Sequence, residues 1–167
     1  PDANPNTIGM WGHSMGGNIT LRDIVVWPND IKAAVIWGGV VGSYDDLLHN
    51  WHRARPFQPS EREQTTRRNT RQRMSELYGT PLTNPDFWQA IDPTTHLRDI
   101  KTPIQLHTGE NDEEVPYTFS ETLYTSLQRL GKSVEYYVYP NGDHNISSPN
   151  FELAITRSIK FFDMYLK

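Results

Sequence analysis

Four short apolar runs punctuate the chain, and longer polar or amphipathic stretches separate them. Thr7 to Gly12 is predicted as a strand ending at a glycine, and Ser14 to about Trp27 as a helix stopped by Pro28. "KAAVIWGGVVG", Lys32 to Gly42, has no alternation, the pattern of a strand buried on both faces as in parallel sheets. "TPIQLHTGE", with its strand starting after Pro103, and "SVEYYVYP", closed by Pro140, are the third and fourth strand candidates. Two amphipathic helices are predicted. One carries the stripe Phe119, Leu123, Leu127 and Leu130 and stops at Gly131; the other carries Phe151, Ile155, Ile159 and Phe162. Strand and helix alternate, which predicts an α/β domain with a parallel sheet.

Residues 43–100 interrupt that rhythm as an insertion between the second and third strands. His52 to Arg73 holds seven arginines against Glu61 and Glu63. Such a run reads either as a cap over a site that attracts carboxylates or as a solvated helical face, and charge runs favour the solvated face. Trp51, Phe57, Tyr78 and Trp88 also fall in the insertion. Aromatics there either line a pocket or pin the insertion to the body.

Composition narrows the chemistry. A chain of 167 residues is one domain's worth and can bury about 70% of its unfolded surface. The net charge of −4 gives no argument for nucleic acid or an anionic membrane as partner. No run of about 18 apolar residues exists to span a bilayer. With no cysteine, disulfides, thiolate metal sites and a cysteine nucleophile are excluded. The chain opens on Pro1 rather than methionine, which fits either removal of a leading methionine before proline or an upstream segment, so the lack of a visible signal peptide has little weight.

The first strand and helix meet at Gly12-His13-Ser14-Met15-Gly16, a G-x-S-x-G pattern. On a tight strand-to-helix turn, side chains two residues to either side of the serine are expected to clash, hence Gly12 and Gly16. The turn lifts the hydroxyl clear of the sheet beside the first helical amides, and the Met15 N–H becomes a candidate oxyanion donor. Gly17 is expected to let the helix pack closely on the sheet.

A serine hydroxyl needs a base, and the base an orienting carboxylate. Asp112 lies in the loop after the third strand and His144 in the loop after the fourth. Serine, acid and base thus come from three loops at one sheet edge, in the chain order such hydrolases use. Glu110, Glu113 and Glu114 are rival acids. Asp143 is read as a loop residue, since adjacent side chains diverge. His13 is expected to pack beside the elbow, His107 to sit in the core or sheet, and His96 to be structural. His49 and His52 lack a third ligand at helical spacing, so no metal is expected.

"NTIGMWGHSMGG", "TPIQLHTGENDEEVP" and "YPNGDHN" together resemble the C-terminal half of α/β-hydrolase catalytic domains of the prolyl oligopeptidase type. The resemblance spans the chain except residues 43 to about 85. It implies a parallel half-sheet, strands five to eight of that fold, flanked by helices, so that residues 1–167 form part of one catalytic domain with 43–100 as a helical, cap-like insertion. It implies Ser14 as nucleophile, Asp112 as acid and His144 as base, without a cofactor, acting on a small ester or peptide. A carboxylesterase with a lid and a non-catalytic binding module of the same fold are the alternatives. It also implies that Thr7 to Gly12 is an open edge covered by an N-terminal half, a complementary fragment or a second copy of the chain. The second oxyanion donor of the fold lies outside these residues, so the chain by itself is expected to hydrolyse esters weakly or not at all.

Overall fold

The computed structural model describes residues 4–51 and 60–167. Four strands, β1 (Ile8–His13), β2 (Ile31–Trp37), β3 (Ile104–Gly109) and β4 (Val134–Tyr139), form one sheet in the order β1-β2-β3-β4. Every pairing is parallel. The helices are α1 (Met15–Val26), α2 (Glu61–Tyr78), α3 (Pro85–Ile91), α4 (Tyr117–Arg129) and α5 (Phe151–Leu166). The run from Lys32 to Gly42 is strand only as far as Trp37. Gly38, at φ +47°, turns the chain out of the sheet, and Val40 and Val41 continue into the core as loop residues.

The lack of alternation in β2 follows from burial on both faces. Ala34 and Ile36 join Leu21 and Ile24 of α1 and Phe119, Leu123 and Leu127 of α4 on one side. Ala33, Val35 and Trp37 join Ala154 and Phe161 of α5 on the other. The α4 stripe is buried as its spacing predicts, with Leu130 packed against its end. The α5 stripe is displaced. Its buried line is Ala154, Ser158 and Phe161, while Phe151 and Ile159 are 46% and 55% exposed. A serine leads inward because the Trp37 indole N–H donates to Ser158 Oγ at 3.1 Å, and Ser158 in turn donates to the Ala154 carbonyl at 3.0 Å. Hydrophobic spacing alone does not register a polar residue that is satisfied inside the core.

His107 is fully buried on this α5 side, as expected of a core histidine. Its Nε2–H donates to Gln105 Oε1 at 2.6 Å, and its Nδ1 accepts from the Tyr139 hydroxyl at 2.8 Å. Gln105 is fixed in that sense because its amide donates to Glu135 Oε2 at 2.7 Å. Burial, assisted by the Arg157 guanidinium, lowers the His107 pKa from 6.5 to about 3. The unfolded chain therefore takes up a proton below pH 6.5 that the folded chain refuses until about pH 3. Stability from this group is complete above pH 6.5 and falls with acidification at up to about 1.4 kcal/mol per pH unit. Denaturant midpoints measured between pH 7 and pH 4 should show that slope. It should flatten in His107→Gln, and an unchanged slope would remove His107 as its source.

The insertion is helical where it is described. A one-turn π-helix (Asp46–Asn50) precedes α2, and a 3₁₀ segment (Pro93–Asp99) follows α3. α2 starts at a capping box in which the Ser60 N–H donates to Glu63 Oε2 at 2.9 Å and the Glu63 N–H returns to Ser60 Oγ. Of its described side chains only Met74 is half-buried. Arg62, Arg68 and Arg73 are exposed, the solvated face that the charge run favours. Arg53, Arg55, Phe57 and the insertion's His52 lie outside the described residues.

Of the insertion's described aromatics, Trp51 pins it to the body, while Trp88 and Tyr78 pack within the insertion itself. The Trp51 indole donates to the Glu114 carbonyl at 2.8 Å and its ring meets Phe119 edge-on. Trp88 packs on Tyr44, and Tyr78 stacks on Phe87 at 4.4 Å. Tyr44, Leu48, Met74 and Trp88 also line a cavity of about 370 Å³, which does not reach Ser14, Asp112 or His144.

β1 pairs with β2 alone and forms an edge of the sheet among the described residues. Ile8 and Trp11 on the strand, and Met15 and Ile19 on α1, are between 42% and 57% exposed.

Candidate active site

Parallel pairing aligns the C-terminal ends of the strands. His13 lies opposite Trp37, Trp37 opposite His107, and Gly109 opposite Tyr139. The loops that follow β1, β3 and β4 therefore emerge on one edge, where open α/β sheets bind ligands.

Ser14 occupies the turn between β1 and α1 at φ +56°, ψ −121°. That is a costly conformation for a residue with a side chain, of order 1–3 kcal/mol. The surrounding backbone imposes it: the Ser14 N–H donates to the Trp37 carbonyl at 2.9 Å, and the Ser14 carbonyl accepts from Gly17 and Val40 at 3.0 Å each. A serine at a helix N-cap normally turns its hydroxyl onto the first-turn amides. Ser14 makes no side-chain cap bond, so its hydroxyl is left available. The Met15 amide opens α1, where first-turn N–H groups have no partner within the helix.

The glycines divide in their reasons. A Cβ at Gly12 would stand 2.3 Å from the Gly16 carbonyl oxygen and 2.4 Å from Thr20 Oγ1, so the turn cannot close around any side chain there. Gly17 is required as expected, since its Cβ would lie 2.7 Å from Ile36 Cγ2 and 2.8 Å from Gly39 Cα. Gly16 corrects the expectation. A Cβ there meets nothing within 4 Å, so no neighbour excludes a side chain at that position.

Of the four acids in the loop after β3, it is Asp112 that turns to His144. His144 Nδ1 lies 2.8 Å from Asp112 Oδ2 and 3.0 Å from Oδ1. Asp112 is held by the amides of Glu114 and Val115, which donate to Oδ1 at 2.9 and 2.8 Å. Its side chain is wholly buried and that of His144 is 12% exposed. The rival Glu110 accepts instead from the Asn141 amide, in the neighbouring loop. Asp143 accepts from the Ser147 N–H at 2.8 Å, which draws its pKa below the ordinary carboxylate value and fixes it as a turn residue. With Nδ1–H committed to Asp112, His144 Nε2 carries the lone pair and has no protein partner among the described residues.

His13 does more than pack beside the elbow. Its Nε2 lies 3.0 Å from the His144 carbonyl oxygen, and the two rings are 4.7 Å apart. His96 bonds the Ala90 carbonyl and His49 pairs with Asp45 at 2.8 Å.

Gly38 has no counterpart in the sequence reading. It carries φ +47° directly against the pair: a Cβ there would sit 3.2 Å from both Asp112 Oδ2 and His144 Nδ1. Its only mark in the sequence is a double glycine at the end of an apolar run. Ile146 anchors the His144 loop. It is fully buried at φ +50°, rare for a β-branched residue.

A parallel sheet with helices on both faces, a serine on a strained strand-to-helix turn and an Asp–His pair at the same edge define an α/β-hydrolase fold. Residues 2–167 match the sequence profile of the prolyl oligopeptidase family, and the chain belongs to that family.

It is 26% identical over 144 residues to the uncharacterized peptidase YtmA of Bacillus subtilis (strain 168), covering 86% of this chain and 50% of that protein. It is 31% identical over 156 residues to the uncharacterized peptidase YuxL of the same organism, covering 88% and 20%. The chain thus spans half the length of one of these relatives and a fifth of the other. A puromycin-hydrolyzing peptidase of Mycobacterium tuberculosis superposes over 98% of this chain and 22% of its own, with a TM-score of 0.73 at 20% identity. At that identity it attests the fold.

Proposed function

We propose that the chain supplies the catalytic centre of a serine hydrolase that cleaves a peptide or carboxylic ester bond. The single observation that carries this reading is the buried Asp112–His144 pair at 2.8 Å, on the sheet edge that also bears Ser14 with an uncapped hydroxyl. Ser14 Oγ attacks the substrate carbonyl carbon while its proton passes to His144 Nε2. The negative charge that develops on the carbonyl oxygen is stabilised by the Met15 N–H and the positive end of α1. The C–N or C–O bond then breaks, and the leaving group takes the proton from Nε2. Water, deprotonated by the same nitrogen, attacks the acyl-enzyme and frees Ser14. Asp112 keeps Nδ1 protonated and stabilises the imidazolium throughout. Membership of a peptidase family and likeness to YtmA and YuxL favour a peptide substrate.

The test is a fluorophosphonate, which phosphonylates an activated serine as Oγ attacks phosphorus and fluoride leaves. Peptide mapping of the treated protein should locate the adduct on Ser14. An adduct elsewhere, or none even when the strands that cover β1 are present, would refute the reading.

The β1 edge belongs to the same proposal. Exposed Ile8 and Trp11 on a strand with one unpaired side are the composition of a covered edge rather than a solvated one. We take its cover to be further strands, from a longer chain, a complementary fragment or a second copy. Strands from a longer chain or a complementary fragment, unlike those of a second copy, also bring the second oxyanion donor, whose lack typically costs about 10²–10³ in turnover. Sedimentation of residues 1–167 alone should show association or aggregation, and a stable, soluble monomer would count against a covered edge.

A further inference from the structure

We propose that His13 is a positioning residue for His144, acting by donating its Nε2–H to the His144 main-chain carbonyl. This rests on His144 being the base, and it adds a second point of support that the Asp112 contact does not supply.

A carbonyl oxygen only accepts, so at 3.0 Å the His13 Nε2 is the donor and carries the proton. The bond spans 131 residues of sequence and ties the last residue of β1 to the loop after β4. β1 and β4 occupy opposite ends of the sheet order, so the two strands do not pair with each other. Asp112 fixes the ring of His144 through Nδ1, but a ring held at one atom still follows its backbone. Anchoring the carbonyl sets where Cα stands relative to Ser14, the residue next to His13.

The His13 ring is itself held. It stacks over Trp11, with centroids 6.4 Å apart and planes 13° from parallel, and lies 4.7 Å from the His144 ring. The imidazole is therefore a spacer of fixed length between the elbow and the base loop. One side chain inside the elbow motif thus links the residue beside Ser14 to the main chain of His144. Displacing a reacting group by about 1 Å can cost on the order of 10²-fold in rate.

Two substitutions separate the donor from the ring. His13→Phe keeps an aromatic ring against Trp11 and His144 but donates nothing. His13→Gln offers an amide N–H close to the imidazole Nε2 position without a ring. We expect the rate of Ser14 fluorophosphonate labelling to fall on the order of 10- to 100-fold in His13→Phe and to return to within about 3-fold of the unsubstituted rate in His13→Gln. Equal labelling rates in His13→Phe and the unsubstituted protein would overturn the proposal. So would an equal loss in both variants, which would leave ring packing as the cause.

A second readout needs neither variant nor activity. In ¹⁵N-histidine spectra of the unsubstituted protein, His13 should be in its Nε2–H form with coupling across to the His144 carbonyl, and an Nδ1–H tautomer would overturn the assignment. If Ser14 is not labelled at all, the hydrolase reading fails, while this spectrum still decides the His13–His144 bond.

Discussion

In Ser14→Ala, made in the protein with its β1 edge covered, hydrolysis of an activated ester should drop to the uncatalysed background while the unfolding transition stays within about 0.5 kcal/mol of the parent. In serine hydrolases where it has been isolated, loss of the triad serine costs on the order of 10⁶-fold in turnover, and the same is expected here if Ser14 is the nucleophile. The small effect on stability follows from the Ser14 environment. Its hydroxyl makes no capping bond, so removing it leaves no amide newly unsatisfied. Alanine bears the same φ +56° backbone at much the same cost, because the strain arises from Cβ, which both residues have. Parallel rate and denaturation measurements check both halves. Residual turnover above background would identify another nucleophile, and a large loss of stability would mean that the hydroxyl supports the turn.

Asp112→Asn should lower turnover on the order of 10⁴-fold with substrate affinity little changed. The carboxylate accepts from three N–H groups: His144 Nδ1, Glu114 N and Val115 N. An asparagine can keep its oxygen on the two amides, but its NH₂ then faces His144 Nδ1 and can only donate. The imidazole is driven to the tautomer with the proton on Nε2, which cannot take one from Ser14. Separate kcat and KM values test this. A fall confined to KM would assign Asp112 to substrate binding instead. Asp112→Glu would not restore the geometry, because the extra methylene must fit a fully buried position that Gly38 already crowds.

Much of this arrangement was legible in the chain. The glycine-flanked Ser14, the unbroken β2 run and the order Ser14, Asp112, His144 each follow from local chemistry and from the rule that ligands gather at the ends of parallel strands. His107 was readable as a core or sheet residue because it stands inside a strand. Other features depend on contacts between segments far apart in sequence. Four acids lie between Glu110 and Glu114 at similar distances along the chain, and only the path of the loop turns Asp112 toward His144. Gly38 is needed because two later loops come to rest against it. The buried line of α5 runs through Ser158 because a tryptophan on another element donates to it.

The sequence by itself determined the alternation of strands and helices, the elbow at Ser14 and the candidate groups in their chain order, since these depend on periodicity, glycine sterics and the small set of ways βαβ units connect. The tertiary structure alone decided that Asp112 rather than a neighbouring glutamate meets His144, that Gly38 must lack a side chain, and that His13 reaches the His144 carbonyl. Hydrogen bonds act over about 3 Å, and no pattern along one strand reports which atoms of another will arrive within that distance.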